Sequence, residues 1–210
     1  MTALLCCKTE LWWQMPWASR QKKLLGLRQV HGKVVINVTA PWEIGSGPDA
    51  DAMVTAVPGL SLGVITADCA PVLFSSTNGK IIGAAHAGWK GALGGVLEAT
   101  AAAMRQLGAE TVQAAIGPCI HQQSYEVAGD LRDAVLARDS ADARFFKDGL
   151  PGHWQFDLPA YCAARLTAIG VATKILPHDT CGDEDRFFSH RRRTLRREAA
   201  IGHQISVIRL

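Results

Sequence analysis

Cys69 and His86 are the two side chains of this sequence whose types and spacing most readily combine into chemistry. Each lies on an apolar run, residues 62–74 and 80–89, and Asn78-Gly79 stands between the runs. Asn-Gly between two such runs is a strong signal for a two-residue hairpin turn. With that turn, Thr77 faces Lys80, Pro71 faces His86, and Cys69 becomes the diagonal neighbour of His86. Diagonal neighbours lie roughly 7–8 Å apart on one face of a sheet. A thiol and an imidazole at that distance can share a metal ion, or act as nucleophile and base. His31, in Gln29-Val30-His31-Gly32, stands at the mouth of a predicted strand and offers a third ligand. Three N/S ligands leave a tetrahedral zinc one open position, the pattern of a catalytic rather than a structural site. Water held there would have its pKa lowered to about 7. The residues alone leave three readings open: a catalytic zinc, a Cys69–His86 nucleophile pair, or a structural role for both.

Other groups compete for attention. Asp68 adjoins Cys69 and, along a regular strand, points to the opposite face unless the chain bends there. It is a candidate general acid or base, a partner orienting a ligand histidine, or a turn cap. Cys119 and His121 resemble a second metal pair, but they are close in sequence and lack a neighbouring third ligand; a pocket wall or buried thiol is the reading preferred. Cys162 reads as core and Cys181 as a loop cysteine. Arg191, Arg192, Arg193, Arg196 and Arg197 form a basic run. Such a run is ordinarily a solvated face, although Arg also makes bidentate contacts to phosphate.

The elements that must position these residues interleave strands and helices. A helix end is expected over 20–27. Strands are expected at 34–38, 51–55, 60–66, 111–116, 174–176 and 200–208, around the hairpin. Apolar residues at helical spacing predict one helix over 91–107, stopped by Gly108. Further helices are expected at 129–138 and, with Asp157 as N-cap, up to 168. This pattern predicts an α/β mixed (α+β) fold, with mixed sheets and helices outside.

At 210 residues the chain is expected to form a single domain with ample core. Its 48% apolar and 20% charged residues are those of a soluble globular protein. A net charge of +3 is too small to imply nucleic acid or membrane as a partner. No apolar run approaches the length of a membrane span. Residues 1–11 are too short and wrongly flanked for a signal peptide. Six Cys without framework spacing suit a reducing cytosol, so a cytoplasmic location is expected. Seven His without a single His-x-His pair argue against a four-copper oxidase. Nucleobase-deaminase, dinucleotide-binding and Walker A signatures are also absent.

Seven motifs occur in order: Gln29-Val30-His31-Gly32, Ala50-Asp51-Ala52, Thr66-Ala67-Asp68-Cys69-Ala70-Pro71-Val72, His86-Ala87-Gly88-Trp89-Lys90-Gly91, Ile116-Gly117-Pro118, Tyr125-Glu126-Val127 and Phe187-Phe188-Ser189-His190-Arg191-Arg192. Together they resemble the laccase-domain or multicopper polyphenol oxidoreductase family, now mostly described as zinc-dependent purine nucleoside phosphorylases that also deaminate adenosine. The resemblance covers residues 28–210 and leaves 1–27, with Trp12, Trp13 and Trp17, as an atypical N-terminal segment. It implies a four-layer α/β/β/α arrangement and zinc held by His31, Cys69 and His86. It further implies catalytic roles for Asp68, Cys69 and His86, and substrate binding by Lys90, Arg191 and Arg192. Lys90 stands where the family more often has Arg, keeping charge but losing the fork. The expected substrates are a purine nucleoside (adenosine, inosine or methylthioadenosine) and phosphate; the oligomeric state is left open. Rival functions are a Cys69–His86 hydrolase or amidase, a polyphenol oxidoreductase, and a non-catalytic zinc-binding protein.

Overall fold

A computed structural model of the chain describes residues 24–43 and 45–210, together with the backbone of a strand at Thr2–Leu5. The Trp-rich stretch and the first half of the helix expected over 20–27 lie outside the described residues. Leu24–Leu25, at the end of that stretch, pairs as a short strand instead.

In chain order the strands are β1 Thr2–Leu5, β2 Leu24–Leu25, β3 Val35–Asn37, β4 Ala52–Thr55, β5 Ser61–Thr66, β6 Ala70–Ser76, β7 Ile82–Ala87, β8 Val112–Ile116, β9 Glu126–Ala128, β10 Phe146–Asp148, β11 His153–Phe156, β12 Ala172–Ile175 and β13 Gln204–Arg209. The α-helices are α1 Trp89–Gly94, α2 Val96–Gln106, α3 Gly129–Arg138, α4 Leu158–Ala168 and α5 His190–Arg196. A six-stranded sheet runs β12-β8-β6-β7-β4-β3 and a four-stranded sheet runs β1-β13-β5-β2. Both are mixed: β3–β4, β8–β12 and β2–β5 are parallel pairs and the others antiparallel. The fold is mixed α/β, as expected.

Period-two alternation explains the layering. On β6 and β7, Val72, Phe74, Ala85 and Ala87 face the helices, while Leu73, Ile82 and Ala84 face the other sheet. Small residues on β7 let α2 approach closely; a Cβ at Gly83 would sit 3.3 Å from both Met104 and Thr100. α2 turns Val96, Leu97, Ala101 and Met104 into that contact, each fully buried. Burying a side chain such as Leu97 or Met104 contributes roughly 1.5–3 kcal/mol. Among the described residues, helices, the six-stranded sheet and the four-stranded sheet thus stack as three layers. The outer face of the four-stranded sheet carries Leu24, Ile205 and Val207, which are buried as well.

Three differences from the expected elements have local causes. The helix over 91–107 is broken into α1 and α2 by Gly95, whose φ of 97° is left-handed. The hairpin register is the expected one, Pro71 opposite His86. Its turn, however, is closed by the Gly79 N–H donating to the Ser76 carbonyl, with Gly79 left-handed at φ 69°. The Ser76 hydroxyl accepts from the N–H groups of Lys80 and Ile81, completing the turn. Finally, β9, β10 and β11 form a small sheet that three- and four-residue runs do not announce.

Candidate metal centre and active site

The site lies where the chain passes from one sheet to the other. β5 belongs to the four-stranded sheet and β6 to the six-stranded sheet. Residues 67–69 make the bend between them, with Asp68 at φ 91°. The bend foreseen as an exception is therefore the actual geometry, and it frees Asp68 from strand alternation. Cys69 leaves the bend on the face that β7 gives to His86, and the loop before β3 brings His31 to the same point. His31 is itself left-handed, at φ 58°.

His31, Cys69 and His86 each offer a ligand atom, and these atoms lie within 4.8 Å of one another. The His31 Nε2 to Cys69 Sγ distance is 3.9 Å. The two imidazoles meet edge to face with centroids 4.7 Å apart. A Cβ on Gly88 would come within 2.9 Å of Cys69 Sγ and 3.1 Å of the His31 ring, so the backbone leaves space here that a side chain would fill. Two imidazoles and a thiol are a borderline-soft donor set that suits zinc. Among the described residues no other such group of three occurs.

Electrostatics favour a neutral imidazole at His31 and disfavour a free thiolate at Cys69. Burial, with the charges of His86 and Lys90, holds His31 below its ordinary value against the pull of Asp51. Burial, and then the carboxylates of Asp68 and Asp51, pushes the Cys69 thiol up to about 12. At Asp51 burial pulls upward, but hydrogen bonds from His86 and the Gly32 N–H, with the charge of His86, hold the carboxyl below its usual value.

Asp68 is tied on every side. Its carboxylate accepts from the Thr180 hydroxyl at 2.7 Å, the Ser189 hydroxyl at 3.0 Å and the Arg191 N–H at 2.6 Å. It thereby pins the first turn of α5 to the bend that carries Cys69.

A pocket of about 950 Å³ opens over the trio. Lys90, Arg191, His190 and His203 line it, with Val30, Ile65 and Ile201 as apolar wall and Trp89 and Tyr125 as aromatic wall. The Arg191 guanidinium lies 5.6 Å from the Tyr125 ring centre and donates to the Glu126 carbonyl at 2.7 Å. Arg192 is placed otherwise. It donates to the carbonyls of Thr180, Cys181 and Phe187 and is not among the pocket residues, so its guanidinium clasps a loop. Arg196 pairs with Glu184 at the surface.

Cys119 is buried and its backbone bridges to Asp179, and Cys162 is in the core. Neither these nor Cys181 lines the pocket. Sequence reasoning gave no role to Asp51, Tyr125 or His203. Asp51 and Tyr125 do sit inside the quoted motifs; His203 had no signal beyond being a histidine.

This combination of fold and site defines a class. Residues 11–210 match the family described as multi-copper polyphenol oxidoreductase laccase, and the chain belongs to it. A purine nucleoside phosphorylase of Xylella fastidiosa is 43% identical over 187 residues, covering 83% of this chain and 72% of that protein. The purine nucleoside phosphorylase YfiH of Escherichia coli is 38% identical over 173 residues, covering 81% and 69%. The crystal structure of the Neisseria meningitidis protein NMB0706 superposes with a TM-score of 0.80 at 32% identity, covering all of this chain and 89% of the other. Among the described residues no helix is long and apolar enough to cross a membrane.

Proposed function

We propose that residues 28–210 form a zinc-dependent purine nucleoside phosphorylase that also deaminates adenosine. The observation that carries this reading is the convergence of His31, Cys69 and His86 in a pocket also lined by cationic, apolar and aromatic side chains. Relatives named purine nucleoside phosphorylase support it. Zinc held by the trio would supply a Lewis-acidic position with one open coordination site. The chain's own groups supply the remainder. Lys90 and Arg191 offer the cations that a phosphate needs. Val30, Ile65, Ile201, Trp89 and Tyr125 line the same pocket and offer apolar surface to a purine. Asp68, held by Thr180 and Ser189, adjoins Cys69 in the chain and lines the pocket, and we assign it proton handling.

The hydrolase reading, with Cys69 as nucleophile, requires a thiol whose pKa is depressed. Burial and two nearby carboxylates push this one the other way. Four free cysteines among the described residues suit the cytoplasm we propose as its location.

The test is turnover of inosine and adenosine, with and without phosphate, on protein of measured metal content. Phosphate-dependent release of base and ribose 1-phosphate is the expected result, together with phosphate-independent conversion of adenosine to inosine. Zinc-loaded protein that turns over neither nucleoside overturns the proposal.

A further inference from the structure

We infer that Asp51 is the positioning residue that makes His31 and His86 ligands together, a role that rests on the metal reading above. Its side chain is wholly buried and meets four donors. Oδ1 accepts from the His31 N–H at 2.9 Å and lies 2.8 Å from His86 Nδ1. Oδ2 accepts from the Gly32 N–H at 2.7 Å and the Val30 N–H at 3.2 Å. The Asp51 backbone is fixed as well: its carbonyl accepts from the His86 N–H at 2.7 Å, and its N–H donates to the Val34 carbonyl at 3.2 Å.

Two consequences follow from one carboxylate. A carboxylate only accepts, so His86 carries its proton on Nδ1 and presents the Nε2 lone pair. That is the tautomer a ligand bound through Nε2 must have. At the same time, three successive amides wrapped around the carboxylate set the turn of residues 30–32. That turn holds His31 at φ 58°, a conformation uncommon for a residue with a side chain. Ligands from two separate elements are thus aimed by a single buried group.

Replacing Asp51 by Asn cannot preserve both functions. With its oxygen kept toward His86, the new amide group faces the N–H groups of Val30 and Gly32, donor against donor. With the side chain flipped, the amide donates to His86 Nδ1 and forces the proton onto Nε2, which removes that nitrogen as a ligand.

The experiment reads the tautomer directly. In ¹⁵N-labelled, metal-free wild-type protein, long-range proton–nitrogen correlation should show His86 protonated at Nδ1; a proton on Nε2 with Nδ1 bare overturns the inference without any variant having to fold. In Asp51→Asn the Nδ1–H signature should be lost or the affinity for zinc, measured by chelator competition, should fall. A single partner of this kind is worth 10–100-fold in metal affinity. Because Asp51 serves two ligands, a fall of about 100-fold or more is expected. Leu97→Ala, which loosens the core away from the site, should leave tautomer and affinity in place. Asp51→Asn with wild-type tautomer and wild-type affinity overturns the role of Asp51. Wild-type protein that takes up no zinc overturns the metal reading instead.

Discussion

Replacing Gly88 by Ala should separate the metal centre from the fold that carries it. Gly88 has φ −68° and ψ 167°, ordinary extended backbone open to any residue. Space, not conformational freedom, is therefore the reason for glycine. The added Cβ would lie 2.9 Å from Cys69 Sγ, against an ordinary heavy-atom separation of about 3.5–4.0 Å. The sulfur must retreat by about 0.6–1.1 Å, several times the roughly 0.2 Å that a metal–ligand bond tolerates. The His31 ring, 3.1 Å from the same Cβ, is pushed as well. Disturbing one group that merely supports a ligand costs 10–100-fold in metal affinity. Displacing two ligands should cost about 100-fold or more, or at least about 2.7 kcal/mol. Global stability should hardly move. Ala is a poorer N-cap than Gly for α1, by up to about 1 kcal/mol. The loss is offset by the 0.4–1 kcal/mol gained from a less flexible unfolded chain. Chelator competition for zinc, beside a thermal melt of the metal-free protein, reads both quantities. Wild-type zinc affinity in a folded Gly88→Ala protein would refute the reasoning, because the ligands would then not occupy the space the glycine leaves.

Zinc uptake by the metal-free protein at pH 7–8 should release about one proton. Cys69 starts protonated, with its pKa near 12, and His31 is already held below its ordinary value. Apparent affinity should therefore rise about tenfold per pH unit across this range, measured by calorimetry in buffers of different ionisation heat; pH-independent binding would count against the thiolate ligand. Arg191→Ala should raise the Michaelis constant for phosphate tenfold or more, since a charge-assisted contact contributes about 1.5–3 kcal/mol. Arg192→Ala should leave that constant near wild type and lower stability by a similar amount, or Tm by about 3–12 °C; the opposite pattern would exchange their roles. Gly95→Ala should destabilise by about 1–2 kcal/mol in urea unfolding, because φ at this position is 97°. No loss there would mean that α1 and α2 can fuse into the single helix expected from periodicity.

How far the site was legible depended on whether a local rule sufficed. The Pro71–His86 register was readable because buried strands alternate strictly and a one-residue slip would invert every side chain. The turn itself differed, because the Ser76 hydroxyl competes for the amides of Lys80 and Ile81, and no pattern of apolar residues encodes that. Gly94-Gly95 interrupts a helix whose apolar spacing runs on unbroken, so periodicity outvoted the breaker. Asp51 stood in a quoted motif, yet its importance arises only when residues 19–21 positions before it and 35 after it fold onto one carboxylate. Arg191 and Arg192 are adjacent and chemically identical. Only the path of the loop at 180–187 decides that one lines the pocket and the other clasps carbonyls.

The bend at residues 67–69 also sets an order in which the protein can mature as it leaves the ribosome. The three candidate ligands fall within residues 31–86, and the strands that carry or flank them, β4, β6 and β7, are neighbours in one sheet. The clamp on Asp68 comes from Thr180, Ser189 and Arg191, which lie 112, 121 and 123 residues further along the chain. Closing loops of that length costs about 1 kcal/mol more than the 38-residue loop between His31 and Cys69. It also waits on the last fifth of the chain being synthesised. An emerging polypeptide therefore has its three candidate ligands in hand well before the wall that would hold a substrate, and a metal bound by them would template the pocket instead of entering a finished one.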